Sequence, residues 1–391
     1  MNNVRIGVIG VGNIGSHHVK YLESGRVKGA KLSAVCDVDP DRLKWVKENI
    51  SNLIECFDNF DELLQSGSVD AIIIAIPHYF HPEYAIKAMR SGIHVMCEKP
   101  AGVYTKQVRE MNEVADGCDV VFGIMFNQRT TPIYTKVKDL ISAGELGEIR
   151  RVNFTVTDAY RPQAYHNSSS WRGTWDKEGG GALINQYSHH LDLWQRICGM
   201  PSKIKAFCYY GKRRSIEVED EVMAYAEYPN GATGTLICST TEMPGTVRLE
   251  LAGDRGKIVA ENNKLTFFRA QISEPEFNKI NANPFGAPDV WECDIPFDSK
   301  NFIYREGHIK ITQNWVNTIL HGEKLLSPGK EGILSVEILN AIYLSSWLDQ
   351  WIDIPVDEDL YFEQLQERVK ESQFVKPEVK KVVMDDMTKT F

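Results

Sequence analysis

Three glycines at fixed intervals carry the first chemical signal in this chain. Gly10, Gly12 and Gly15 lie in the run Gly10-Val11-Gly12-Asn13-Ile14-Gly15, directly after the apolar stretch Val4–Ile9 and opening an amphipathic one, Ile14–Ser24. Glycines so spaced let a backbone turn tightly and approach a pyrophosphate, whose charge then rests on a helix N-terminus. The acidic residue such a site uses is Asp37, 22 positions after Gly15 and at the end of the second apolar run. A carboxylate there accepts from adenosine ribose hydroxyls and repels a 2′-phosphate. Asp39 and Asp41 add to that repulsion, and the first basic residue beyond Asp37 is Arg42. The expected cofactor is NAD, with NADP disfavoured, and its contacts on this side are Gly10, Gly12, Asn13, Ile14, Gly15, Asp37 and Arg42.

A parallel sheet must hold these residues. Val4–Ile9, Lys31–Asp37, Ala71–Ile76, His94–Cys97 and Val120–Phe126 read as strands, with helices between them at Ile14–Ser24, Asp41–Ile50, His81–Ser91 and Thr105–Ala115. Ala71–Ile76 is apolar throughout, as a strand covered on both faces would be. Strand–helix alternation with short connections implies right-handed crossovers and an α/β, doubly wound sheet of Rossmann type. After about residue 147 strands follow one another closely, at Arg151–Thr157, Lys203–Tyr209, Glu221–Tyr228, Ala232–Ser239, Val247–Ala252 and Lys264–Arg269. Pro229-Asn230-Gly231 between two of them signals a hairpin turn. The second domain is therefore expected to be α+β, with a large, mostly antiparallel open sheet. Two late helices, Glu306–Leu320 and Lys330–Ile352, carry apolar stripes and should pack back on a core. The expected division is 1–126 for NAD, 127–370 for substrate and oligomerisation, and 371–391 as a tail.

A net charge of -9 argues against a nucleic-acid or anionic-membrane binder, both of which want a basic face. The short basic run Lys212-Arg213-Arg214 reads as a solvated turn between strands. Eight cysteines at irregular spacing, without a CxxC pair, form neither a zinc framework nor a secreted disulfide scaffold. The chain opens directly into a strand and has no apolar stretch near the length of a membrane span, so a cytoplasmic location is expected.

Beyond the glycine loop, four further motifs occur in order. They are an apolar strand running through Ile76 to Pro77 with His81 following, Glu98-Lys99-Pro100, Trp171-Arg172, and Gly179-Gly180-Gly181-Ala182-Leu183 leading to Asn185, His189 and Asp192. In this combination the chain resembles the glucose–fructose oxidoreductase / inositol dehydrogenase / MocA family over about residues 3–355. The resemblance implies an NAD-dependent oxidoreductase that moves a hydride between the nicotinamide and a ring hydroxyl of a sugar, glycoside or cyclitol. It implies that Lys99 and His189 are the acid–base pair, and that Ile76, Pro77, His81, Glu98, Lys99, Asn127 and Arg172 face the cofactor. Histidine suits the role of base near neutral pH, and a lysine ammonium stabilises a developing alkoxide.

One position departs from the family's pattern: Asn185 stands where an aspartate is common. At one helical turn from His189 it should share that residue's face and touch substrate without carrying charge. His190 must point about 100° away from its neighbour, so a metal site from His189, His190 and Asp192 has poor geometry and no metal is expected. Asp192 is either a second partner behind the site or an outward helix charge. Tyr160, Tyr165 and Trp175 could stack on a pyranose or simply clasp the two domains, Arg129 could line the cleft or act as a clamp, and His308 could reach the cleft or pack in the core. Two other function classes fit the same residues: a glycosidase or lyase that retains NAD and oxidises its substrate transiently, and a non-catalytic sugar or NADH sensor. A homodimer or homotetramer is expected by fold analogy.

Overall fold

The computed structural model describes residues 3–298 and 306–376. Its first half is a six-stranded parallel sheet of β1 (Val4–Ile9), β2 (Ala30–Cys36), β3 (Glu55–Phe57), β4 (Ala71–Ile74), β5 (His94–Cys97) and β6 (Phe122–Ile124). The strand order is β3-β2-β1-β4-β5-β6, so the winding direction reverses between β1 and β4. A crevice opens beyond the carboxyl ends of strands at such a reversal, and it is where ligands of these sheets bind. Ala71–Ile74 and five of the six residues of β1 are buried, because helices cover both faces.

The second sheet has nine strands in the order β14-β13-β12-β11-β7-β10-β9-β8-β15. These are β7 (Ile149–Val156), β8 (Lys203–Tyr210), β9 (Glu219–Glu227), β10 (Thr233–Ser239), β11 (Val247–Gly253), β12 (Gly256–Glu261), β13 (Lys264–Ala270), β14 (Val290–Asp294) and β15 (Ile352–Asp353). Every neighbouring pair is antiparallel except β7 with β10. The turn at Pro229-Asn230-Gly231 joins β9 to β10, with Gly231 at a φ of +83°. One face of this sheet carries the larger apolar core, which includes Trp194, Tyr187 and Tyr343. The other face stays open, with Phe207 opposite Met223 across the β8–β9 pair, both about half exposed.

Of the two late helices, Glu306–His321 packs on the first sheet, where Ile311 and Trp315 are buried among residues of β1 and β2. Gly332–Leu348 lies against β8 and the Ser188–Cys198 helix and stops four residues short of Ile352, which belongs to β15. A further helix, Glu358–Glu371, begins at an Asp357 cap to the Leu360 N–H and buries Tyr361 and Leu365. Residues 377–391 of the expected tail lie outside the described residues.

Candidate active site

At the β1–β4 crevice the three glycines differ in what surrounds them. A Cβ on Gly10, whose φ is +83°, would lie 2.5 Å from the carbonyl oxygen of Ala75, and one on Gly15 would lie 1.8 Å from that of Gly10. Nothing lies within 4 Å of a Cβ on Gly12. The outer two are therefore required by the fold itself, while Gly12 faces open space at the uncapped N-terminus of the Asn13–Glu23 helix. Asp37 holds this loop by accepting from the Val11 N–H at 2.6 Å through one oxygen and from the Asp39 N–H at 2.9 Å through the other. Asp39 is committed to capping the Pro40–Asn49 helix. Open space beside a helix N-terminus, with a carboxylate at the end of β2, is the cradle a dinucleotide fits.

His81 is buried with its ring nitrogens 2.7 Å from the Pro100 carbonyl and 2.8 Å from that of Ile76. It thus ties the loop after β4 to the loop after β5, and shapes the site through backbone positions. Both ring nitrogens of His81 are thus committed to backbone carbonyls.

The loop after β5 presents Glu98 and Lys99. Glu98 is buried, 2.8 Å from Nε2 of His18, and also accepts from the Lys99 N–H. Burial pushes its carboxyl up, but His18, with the charges of His308 and Lys99, outweighs that and brings it down to about 2. Lys99 reaches the other domain, its Nζ donating to the Asn185 carbonyl at 2.6 Å. Burial, reinforced by Arg161 and Arg172 against Glu98 and Glu178, lowers Lys99 to about 8.

His189 is 3 % exposed, and its Nδ1 is buried with no hydrogen-bond partner among the described residues. Burial, then Lys99, His190 and His308, holds the ring well below the ordinary imidazole value, so it is neutral at neutral pH. The neighbouring His190 points away, packed against Phe154 and Tyr187. Among the described residues no group of His, Cys, Asp and Glu could hold a metal ion.

One expected placement is corrected, and others are settled between the alternatives the sequence left open. Asn185 and His189 do not share a continuous helix: the Ala182–Asn185 turn ends, and a new helix starts at Ser188. Asn185 instead donates from Nδ2 to Oε1 of Glu178 at 2.6 Å while its carbonyl receives Lys99. Asp192 is wholly buried and takes both Nε and Nη2 of Arg129, at 2.7 and 2.6 Å, so this pair clamps the turn after β6 to the Ser188–Cys198 helix. Trp175 is not in the cleft but in an aromatic cluster with Tyr210, Tyr343 and Trp347. Tyr160 is 41 % exposed under the Arg214 guanidinium. His308 is buried beside Asn127, whose Nδ2 is 3.3 Å from its Nδ1, and burial lowers it to about 3. Asn127 Oδ1 is buried and unpaired among the described residues, an acceptor left for a ligand group. The Tyr165 hydroxyl receives Arg172 and, at 2.9 Å, Nε2 of Gln186.

Comparison with known proteins places this geometry. Residues 4–126 match the NAD-binding Rossmann domain of an oxidoreductase family, and residues 134–259 match the GFO/IDH/MocA C-terminal domain. The chain belongs to the GFO/IDH/MocA family of oxidoreductases. A myo-inositol 2-dehydrogenase of Thermotoga maritima is 27% identical over 273 residues, 67% of this chain and 77% of that protein. A levoglucosan dehydrogenase of Pseudarthrobacter phenanthrenivorans is 25% identical over 75% of this chain and 82% of its own length. The WlbA dehydrogenase of Bordetella pertussis, solved with NADH and UDP-GlcNAcA, superposes with a TM-score of 0.75 at 25% identity, over 91% of this chain and 100% of that one.

Family motifs do not mark every residue at the site of this GFO/IDH/MocA protein. Glu178 is 3 % exposed, accepts from the Gly173 N–H and Asn185, and is raised by burial despite Arg172. It sits immediately before the triple glycine, where a glutamate reads as a surface residue. His18 and Tyr21 form a buried polar pair at 2.6 Å, continued to Thr312 at 2.8 Å. Their signal was available, since both fall on the apolar face of their helix with Val19 and Leu22. Arg161 and Gln186, both buried, complete the wall around Tyr165.

Proposed function

We propose that this protein is an NAD-dependent dehydrogenase of a ring hydroxyl on a carbohydrate or cyclitol, with Lys99 and His189 acting on one hydroxyl. The observation that carries this reading is the contact from Lys99 to the Asn185 carbonyl, which brings the loop after β5 to the turn just before the helix that bears a buried His189 with an unpartnered Nδ1. His189 takes the hydroxyl proton, and the Lys99 ammonium stabilises the alkoxide oxygen as it forms. NAD, when bound, would supply the hydride acceptor that takes the alcohol to the ketone, and the proton taken up by His189 passes to solvent. Glu98, fixed by His18, holds the Lys99 backbone in place, and Asn185 is a positioning residue between Lys99 and Glu178. Asp37 selects NAD over NADP, because its carboxylate would repel a 2′-phosphate.

NADH formation with a panel of hexoses, glycosides, uronates and inositols tests this reading; none oxidised would refute it. Release of an aglycone without added NAD would instead mark transient oxidation by an enzyme that retains its cofactor. The open face with Phe207, Met223 and Tyr225 gives two copies of the chain a surface for pairing, which light scattering would show.

A further inference from the structure

The triple glycine meets a buried acid. Glu219, the first residue of β9, is wholly buried, and its carboxylate serves the turn that follows Gly179-Gly180-Gly181. Oε2 accepts from the Gly181 N–H at 2.9 Å. Oε1 accepts from the Leu183 N–H at 2.8 Å and from the Tyr343 hydroxyl at 2.7 Å. Tyr343, on the Gly332–Leu348 helix, is wholly buried and stacked on Trp347. Two of the glycines are there for this approach. A Cβ on Gly180 would lie 2.2 Å from the Tyr343 hydroxyl oxygen, and one on Gly181 would lie 2.2 Å from the Glu219 carbonyl oxygen. Burying an acid on neutral donors costs stability that an apolar residue of the same volume would not, so Glu219 is more than core filling.

The turn it anchors ends at the cleft. Ala182–Asn185 is a single helical turn, closed by the Asn185 N–H on the Gly181 carbonyl at 3.2 Å. In an unbroken helix the Asn185 carbonyl would accept from the His189 N–H four residues on. The chain breaks instead and restarts at Ser188, and Lys99 Nζ takes that carbonyl at 2.6 Å. Gly181 therefore carries two links of one chain of hydrogen bonds. Its N–H is held by Glu219, and its carbonyl holds Asn185, whose own carbonyl receives Lys99.

We propose that Glu219, with Tyr343, is a positioning residue of the hydride-transfer site, setting the Ala182–Asn185 turn so that its last carbonyl meets the Lys99 ammonium. This rests on the dehydrogenase reading and adds two residues that act through Lys99.

Glu219→Gln keeps the shape but turns an amide NH₂ against the N–H of Gly181 or of Leu183, and Tyr343→Phe removes the hydroxyl alone. A displacement of about 1 Å at a reacting group can cost about 100-fold in rate. On a sugar that the wild type oxidises, kcat should fall about 10- to 100-fold in Glu219→Gln and about 3- to 10-fold in Tyr343→Phe. NADH affinity by fluorescence titration should stay within about 3-fold of wild type in both, which also shows that they fold. Ile258→Ala opens a cavity in β12, a strand that carries none of the site residues, and lowers the melting temperature. It should keep kcat within about 3-fold of wild type.

Wild-type kcat in Glu219→Gln would overturn the proposal. Equal losses in Glu219→Gln and Ile258→Ala would do so too, since both would then report stability alone. Where Glu219→Gln does not fold, Tyr343→Phe decides in the same way. If no sugar is oxidised, the dehydrogenase reading fails separately, and Lys99 itself reports on the turn. Its acetylation by acetic anhydride, read by peptide mass, should be at least about 3-fold faster in Glu219→Gln than in wild type or Ile258→Ala, because the ammonium loses the acceptor that holds its proton. Equal rates in all three would refute the positioning role.

Discussion

Lys99 Nζ lies 2.6 Å from the carbonyl oxygen of Asn185, and this contact spans the cleft from the loop after β5 to the break before the Ser188–Cys198 helix. It fixes the ammonium near a histidine whose shift has the same chief cause. Burial chiefly lowers Lys99 to about 8 and holds His189 well below the usual imidazole range. Between those limits His189 is neutral and Lys99 is charged. For alcohol oxidation, kcat/KM should therefore be flat through neutrality and fall as pH rises through about 8. Initial rates at low substrate measure this. A rate that climbs through the same range would make neutral Lys99 the base.

Gly12 and Gly15 should respond differently to the same change. Gly12→Ala meets open space at a φ of -72°, which alanine adopts, so stability should change by less than about 1 kcal/mol. NADH affinity should nevertheless fall at least about 10-fold, because the new methyl occupies the pyrophosphate's approach. Gly15→Ala drives a Cβ to 1.8 Å from the Gly10 carbonyl and should not give a stable protein. Thermal melting and fluorescence titration check both. Unchanged NADH binding in Gly12→Ala would place the cofactor elsewhere.

The elements that hold the cofactor were legible because their patterns are local. Ala71–Ile74 is apolar on both faces because it is buried on both, and the glycine loop and Lys99 are marked by neighbours in sequence. Strands β12 and β14 escaped notice: β12 mixes Lys257 and Glu261 into a short run, and β14 is an exposed edge with Glu292 and Asp294. The break between Asn185 and Ser188 was missed although Asn185, Tyr187 and Ser188 are only middling helix formers, because the spacing to His189 suggested one unbroken turn. That break undid the inference that Asn185 shares a face with His189. Glu178 and Arg161 acquire meaning only when chain segments far apart meet, so their side chains read as surface charges.

Asn185→Asp would replace the amide donor 2.6 Å from Glu178 with a second carboxylate. Two buried carboxylates at that distance share one proton, and burial already raises Glu178. An acid whose folded value is raised is stable at low pH and loses that stability as pH rises past its unfolded value of about 4.3. The melting temperature of Asn185→Asp should therefore drop, relative to wild type, as pH rises above about 4. Parallel melting curves for the two proteins would mean the contact is not made.

Arg129 and Asp192 are both at most 1 % exposed in their side chains, so removing Arg129 strands the buried Asp192 carboxylate and removing Asp192 leaves Arg129 with Glu331 as its ion-pair partner. Arg129→Met or Asp192→Ala should each cost about 3–5 kcal/mol, read as a lower urea midpoint. The double replacement should cost much less than the sum. Single losses under about 1 kcal/mol would show that the pair is not buried in solution.

The most direct measurement is kcat for His189→Ala and Lys99→Ala on whichever sugar the panel reveals, with NADH binding measured beside it. Each should lose about 10²–10⁴ in kcat, the contribution of a positioned acid–base group. The double variant should be far less impaired than the product of the two losses, since both groups act on one hydroxyl. NADH affinity should fall far less than kcat, because the pyrophosphate and ribose positions are at the Gly10–Gly15 loop and Asp37. A His189→Ala enzyme that binds NADH normally and keeps near-normal kcat would contradict the account.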